Sequence, residues 1–301
     1  MTRTRWSGML RRAVAAGLVV AWAGILCRGR DGWIGVAMIF YATPWLLRLM
    51  AGLAALLVLR HRGIRVLAAA CLVISMAEGW RSFRLDRLPE SAPGALRVSV
   101  WNTGRDLPRM PSAWSGASEA DVSAVIETGT FSPDRWRAFV AGSPDHQWQR
   151  LDGSTMIGVR GKIVSCDSLG THDLFRCHRI RVDLPGRGEF TVVVADVRSQ
   201  PWISREQAIT SIVRAAGDDP RAIILGDFNT PPESTWYRGW RDRGFSLAND
   251  GPRRGFRETW AYGLPLWTLD QIWLGPGLKV ARTDRARPGS DHARVLCTLA
   301  P

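Results

Sequence analysis

The first 88 residues carry 13 arginines but only three acidic side chains, Asp31, Glu78 and Asp86, and the chain between the arginines is almost wholly apolar. Long apolar runs bracketed by cations constrain a fold more than any other feature, because lipid or a helical interior must cover them. Ala13 to Cys27 follows Arg3, Arg5, Arg11 and Arg12 and precedes Arg28 and Arg30. A span needs about 20 residues, which the run approaches with its flanks and with arginine side chains reaching for the interface. No small-x-small cleavage site precedes Cys27, so the segment reads as an uncleaved span. Trp33 to Leu59 is interrupted by Pro44 and Arg48. Proline suits the first turn of a helix, so a second span begins there, and Trp33 to Thr43 reads as an interfacial or re-entrant approach. Ile64 to Ala77 completes a set of three spans, near 10–28, 43–60 and 63–79, within a membrane region 1–88. Basic residues favour an inside N-terminus and a C-terminal part outside the cytoplasm of a multi-pass cell-membrane protein. Trp22, Trp33, Trp45 and Trp80 lie at or near span ends, as an aromatic belt requires.

The net charge of +13 is unevenly placed. Most of the excess flanks the apolar segments, and the rest of the chain is only mildly basic. Tight binding of duplex DNA is therefore not expected. Residues 89–95 (Pro-Glu-Ser-Ala-Pro-Gly-Ala) form a linker, and 96–301 is long enough for one soluble domain. The five cysteines contain no CxxC pair, which argues against a zinc site.

Within 96–301, short β-branched runs alternate with few helical ones. The strands are Arg97–Trp101, Val122–Ile126, Met156–Ser165, Arg176–Leu184, Glu189–Val197, Ala222–Leu225, Leu269–Leu274 and Ala293–Leu299. Met156–Ser165 and Arg176–Leu184 can pair as a hairpin, with Cys166 and Cys177 bracketing its loop. Outside the cytoplasm a disulfide between them is chemically allowed; two independent thiols are the alternative. The pattern is α+β, two sheets packed face to face with helices outside. Several strands lie next to a side chain that binds metal or phosphate: Asn102, Glu127, Asp227 with Asn229, Asp270, and Asp291 with His292.

These pieces, Val-Ser-Val-Trp-Asn102, Val-Ile-Glu127, Leu-Gly-Asp227-Phe-Asn229-Thr-Pro-Pro, Leu-Asp270-Gln-Ile and Gly-Ser-Asp291-His292, resemble the endonuclease/exonuclease/phosphatase (DNase I-like) superfamily in kind and order. The resemblance spans 96–300 and implies a four-layer α/β-sandwich behind the N-terminal transmembrane helices. It also implies a metal-dependent phosphoesterase. Glu127 and Asn102 offer the hard oxygens that Mg²⁺ or Mn²⁺ prefers, and Asp291 adds a third, directly or through water. Asp227 orients or deprotonates the attacking water, Asn229 steadies water and phosphate, His292 donates to the phosphoryl oxygen, and Asp270 fixes the tautomer of a histidine in the site. Family members commonly carry a histidine after the strand equivalent to Glu189–Val197. This chain has Asp196-Val197-Arg198 instead, so either Arg198 takes the phosphate-contacting place or Asp196 serves the site.

In layout the chain is similar to membrane-anchored bacterial members of the superfamily that act on undecaprenyl pyrophosphate and confer glycopeptide resistance. The expected activity is hydrolysis of a phosphate ester or pyrophosphate, lipid-linked in one version, with membrane lipids as neighbours. A nuclease of the same superfamily is the second reading. A membrane-anchored binding domain without catalysis is the third. Arg253, Arg254 and Arg257 form a basic loop that suits a phosphate in any of them.

Overall fold

The computed structural model describes residues 3–90, 93–287 and 289–300; Ser91 and Ala92 of the expected linker lie outside the described residues. Four helices come first: α1 (Arg3–Cys27), α2 (Ile34–Ala42), α3 (Trp45–Val58) and α4 (Arg62–Ser82). Fourteen strands follow: β1 (Phe83–Leu85), β2 (Arg97–Asn102), β3 (Val122–Ile126), β4 (Gln147–Leu151), β5 (Thr155–Val159), β6 (Lys162–His172), β7 (Phe175–Leu184), β8 (Gly188–Val197), β9 (Ile223–Asp227), β10 (Ser246–Leu247), β11 (Arg254–Phe256), β12 (Asp270–Leu274), β13 (Val280–Ala286) and β14 (Arg294–Leu299). Between them lie α5 (Trp114–Ala117), α6 (Pro133–Ala141), α7 (Glu206–Ala215) and α8 (Arg238–Asp242).

The strands form two six-stranded sheets, in the orders β13-β14-β2-β3-β5-β4 and β10-β12-β9-β8-β7-β6. Val98, Val100, Ala124 and Ile157 of the first meet Ile180, Val192, Val194 and Leu225 of the second in one buried core. A second apolar layer seals the outer face of the second sheet with α7, Tyr237 and Trp240. A third seals the first sheet with α5 and α6. The result is an α+β sandwich of four layers. Central strands such as β3, β5, β9 and β12 are buried along their whole length because both of their faces are covered. Each fully buried Val, Leu or Ile side chain in them contributes about 1.5–3 kcal/mol of burial free energy.

The segment expected as one strand over Met156–Ser165 divides in two. It ends at Val159, where β5 completes its pairing with β3 in the first sheet. The chain then turns through Arg160 and Gly161 and enters the second sheet as β6, paired with β7. Both halves carry adjacent apolar residues, Met156-Ile157 and Ile163-Val164, so periodicity alone does not show the change of sheet. All five cysteines are free thiols, and Cys166 stands opposite Ile180 rather than near Cys177. The two sulfurs belong to positions three residues apart in register, too far along the ladder for a disulfide.

Gly8–Cys27 and Arg62–Ser82 are long and apolar enough to cross a membrane. α2 and α3 meet at a bend of 70° and count as a third span only as a bent pair. The stretch Trp33–Thr43, expected as an interfacial approach, is thus mostly the ordered helix α2. Small residues close the bundle: Ala55, Ala68 and Cys71 are buried, and a Cβ on Gly52 would stand 3.1 Å from the Ala68 carbonyl oxygen. The outward faces are apolar, with Val19, Leu57, Val66, Val73 and Met76 exposed. Trp33 and Trp80 are about four-fifths exposed at the ends nearest the sandwich.

The helices do not merely tether the sandwich. β1 pairs with β11. Buried Asp31, in the turn after α1, accepts from Tyr41 Oη at 2.6 Å, Ser234 Oγ at 2.6 Å and the Thr235 backbone N–H at 2.9 Å. Glu258 accepts from Trp45 Nε1 at 3.1 Å and from Ser82 Oγ. Glu233 pairs with Arg28 at 3.2 Å and with Arg257. Arg253 donates to the Ser82 carbonyl at 2.7 Å. The basic loop expected to suit a phosphate is therefore largely committed to clamping the helices, because Arg253 and Arg257 are spent on internal acceptors.

Replacing Asp31 with alanine leaves the Ser234 hydroxyl and the Thr235 N–H without an acceptor. Hydrogen bonds to a charged group contribute about 1.5–3 kcal/mol each. Asp31→Ala should lower the midpoint of unfolding in detergent by an amount equivalent to about 2–4 kcal/mol, and wild-type stability in that variant would show that the contact is idle.

Candidate active site

The sheets end together at one edge of the sandwich, and that edge collects the polar residues. β9 is the centre. It pairs with β8 in parallel and with β12 antiparallel, so Asp227 stands opposite both Asp196 and Asp270. Neighbouring strands lie about 4.8 Å apart, which puts three carboxylates side by side. Gly226 is needed just before: a Cβ there would lie 2.1 Å from the Ala195 carbonyl oxygen of β8. In the facing sheet β2 ends on Asn102, and Glu127 follows β3. Asp291 and His292 immediately precede β14.

Asp227 is buried, and both of its oxygens are engaged. Oδ2 accepts from Asn102 Nδ2 at 2.8 Å, and Oδ1 accepts from the Asn229 backbone N–H at 3.0 Å. Asn229 donates its Nδ2 to the Val197 carbonyl at 2.8 Å. Asn102 Oδ1 accepts from the Gly104 N–H at 2.9 Å. His292 donates Nδ1–H to Asp270 Oδ2 at 2.8 Å. That bond fixes the ring and leaves Nε2 as the other polar atom, 4.0 Å from Asp291 Oδ2. Asp270 is held in turn by its own N–H and that of Leu269, both donated to Thr259 Oγ1 at 3.0 Å.

Burial, and then the Asp270 charge, pushes the Asp227 carboxyl up to about 7. Burial also pushes Asp196 up to about 6, aided by Glu127 and opposed by Arg176, which pairs with it at 3.2 Å. For His292 burial works downwards, but the charge and hydrogen bond of Asp270, joined by Asp227 and Asp291, outweigh it and raise the imidazole to about 10. The pair thus presents a cationic donor beside a carboxylate that exchanges its proton near neutrality.

All of Asn102, Glu127, Asp227, Asn229, Asp291 and His292 line one cavity of about 760 Å³. Asp270 lies behind His292, fully buried. Arg198 and Asp196 do not line this cavity; both line the adjoining cleft, which opens past Glu127 and Asn229. Nothing local in the sequence pointed to the other wall, made of Met38, Tyr41 and Ala42 from α2 with Trp260, Tyr262 and Trp267. Thr259 also went unread, since a lone threonine in a loop carries no motif. Among the described residues, four of the five non-glycine positions with positive φ, Arg105, Glu127, Asn229 and Tyr262, line the cavity. Such conformations cost about 1–3 kcal/mol each and gather at functional sites.

The donor set fits a divalent cation. Asp270 Oδ1 is buried without a partner, and Asp227, Asp270 and His292 have ligand atoms within 4.8 Å of one another. The expected oxygen ligands Glu127, Asn102 and Asp291 face the same cavity, with Glu127 paired to Arg105 at 3.2 Å. Because His292 Nδ1 and Asp270 Oδ2 satisfy each other, Glu127 and Asn102 are the better hard-oxygen ligands, and the buried trio suits proton handling.

His292 gains its proton affinity from folding, so its pairing stabilises the fold fully below the unfolded histidine value of 6.5 and loses that effect as pH rises through about 10. In Asp270→Asn the imidazole should titrate well below its wild-type value, since burial then acts with less opposition. Ring-resonance NMR against pH reads this directly; an unmoved titration would show that Asp270 does not set the charge.

The endonuclease/exonuclease/phosphatase family model matches residues 100–292. A structure of a family member from Bacteroides thetaiotaomicron superposes with a TM-score of 0.51 at 15% identity, covering 68% of this chain and 97% of that one. ANGEL2, described as a 2′,3′-cyclic phosphatase, gives 0.51 at 11% identity over 72% of this chain and 98% of its own. At such identities the likeness shows the fold. No curated protein matches the sequence. The match covers every residue of the polar edge from Asn102 to His292 and all the strands of the two sheets except β14 and the start of β2, and on it the chain belongs to the endonuclease/exonuclease/phosphatase family.

Proposed function

We propose that the protein is a membrane-anchored, divalent-metal-dependent phosphohydrolase acting on a phosphate ester or pyrophosphate carried by an amphiphile. One observation carries the reading. The cavity that holds Asp227 and His292 has a polar floor and an apolar wall, and that wall is partly α2. A phosphorylated headgroup suits the floor. A hydrocarbon chain suits Met38, Tyr41, Trp260 and Trp267, beside helices whose outward faces are apolar. Residence in the same membrane also raises the effective concentration of such a substrate.

Glu127 and Asn102, with Asp291 beside them, would hold Mg²⁺ or Mn²⁺. The ion supplies charge neutralisation at the phosphoryl oxygens. The chain's own groups do the rest. Asp227 takes the proton of the attacking water, with its orientation fixed by Asn102 and Asn229. His292 donates from Nε2 to a phosphoryl oxygen, and Asp270 keeps it charged and aligned. α1 and α4 both run towards the sandwich, with α3 running back between them. An inside N-terminus therefore places the catalytic part outside the cytoplasm.

Asp227→Ala and His292→Ala should each lower kcat by about 10²–10⁴-fold, measured on dodecyl phosphate and dodecyl pyrophosphate in micelles. Chelation should abolish turnover and added Mg²⁺ or Mn²⁺ restore it. The rate of the wild type should rise with pH through the Asp227 value of about 7 and decline above the His292 value of about 10. Wild-type protein with metal that turns over neither lipid would refute the reading, and plasmid cleavage in its place would favour a nuclease.

A further inference from the structure

A second cleft of about 710 Å³ continues from the catalytic cavity, and the two share Arg105, Asp106, Glu127, Ser199 and Asn229 as lining. Its chemistry is the reverse of the α2 wall: no aromatic side chain lines it. Five arginines from four segments do, namely Arg105 and Arg109 of one stretch with Arg135, Arg176 and Arg198, against Asp106, Glu127 and Asp196. Several of these guanidinium groups have donors to spare. The carboxylate beside Arg198 is Asp173 at 3.9 Å, and that beside Arg109 is Asp106 at 3.5 Å. Arg135 gives one N–H to the Pro108 carbonyl at 2.9 Å. Arg105 and Ser154, both lining residues, hold left-handed backbones at φ 70° and 59°. The strain expected at a functional site thus extends past the catalytic floor into the cleft.

We propose that this cleft is a second anion subsite that receives the distal phosphate of a pyrophosphate-linked amphiphile. The inference rests on the phosphohydrolase reading above and adds the direction in which the substrate lies. Hydrocarbon follows α2, the proximal phosphorus sits over Asp227 and His292, and the distal phosphate enters among the arginines. The water oxygen bonds the proximal phosphorus while the bridging P–O bond breaks. Its electron pair leaves with the distal phosphate, and the water proton passes to Asp227. The products are the lipid monophosphate and inorganic phosphate. The arginines bind the departing phosphate through charge-assisted hydrogen bonds as its negative charge develops. Five guanidinium groups outnumber the three carboxylates that line the cleft, so it recognises a dianion better than a neutral headgroup.

The test uses the full chain in detergent micelles with Mn²⁺, with dodecyl pyrophosphate and dodecyl phosphate as probes. Hydrolysis of the pyrophosphate in ¹⁸O-water should place the label in dodecyl phosphate, read by mass spectrometry. The double variant Arg109→Gln/Arg135→Gln should lose about tenfold more kcat/KM on the pyrophosphate than on the monophosphate. Inorganic pyrophosphate should also bind the Asp227→Ala protein about tenfold more tightly than it binds the same protein carrying both arginine substitutions. Label in the inorganic phosphate released at early times, before dodecyl phosphate is consumed, would put the distal phosphorus over Asp227 and overturn the assignment, as would an equal loss on both probes. Both outcomes leave the phosphohydrolase reading standing. Turnover of neither probe by wild type would overturn both.

Discussion

Asp227 and Asp270 face each other across an antiparallel strand pair, both buried, and the rest of the active edge follows from the need to accommodate them. Two like charges a strand spacing apart in a desolvated place cannot stand without compensation. His292 supplies a cation to Asp270, Asn102 and the Asn229 backbone supply donors to Asp227, and Thr259 holds the Asp270 backbone still. Each compensating group comes from a different part of the chain. The folding of both sheets is therefore a condition for the site, and the site is one of the places where the two sheets are joined by polar contacts rather than by apolar packing.

The same arrangement explains how chemistry near neutrality follows from ordinary side chains. Burial raises a carboxyl and lowers an imidazole, whereas mutual pairing does the reverse. In this edge burial dominates for Asp227 and pairing dominates for His292, so a proton acceptor and a proton donor coexist. Removing either carboxylate changes both partners, and the groups act as a unit.

The N-terminal helices enter this picture as a wall of the cavity. A superfamily sandwich needs none of them for its two sheets, and the family match begins at residue 100. Yet Asp31, Trp45, Arg28 and Ser82 lock them to loops that border the site, and α2 closes one side of the cavity. The candidate site is thereby built at the junction of an apolar bundle and a polar sheet edge.

Much was legible before folding. Arginine-bracketed apolar runs predict α1 and α4, and β-branched runs ending in Asn102, Glu127 and Asp227 predict the strands and the polar edge, because periodicity and composition are local properties. His292 and Asp270 were legible only in company, since neither is informative alone. The change of sheet at Arg160–Gly161, the place of Arg198 in a neighbouring cleft, the clamping role of Arg253 and Arg257, and Thr259 beneath Asp270 were not legible. Each depends on which distant segments meet, and a sequence pattern carries no information about register between strands. The sequence by itself determined the apolar helical N-terminal part, the α+β sandwich and the kinds of side chain available at the candidate site. Only the tertiary structure decided that α2 walls the cavity and that arginines from four segments share a cleft, because those contacts join residues far apart in the chain through the packing of the helices and the two sheets.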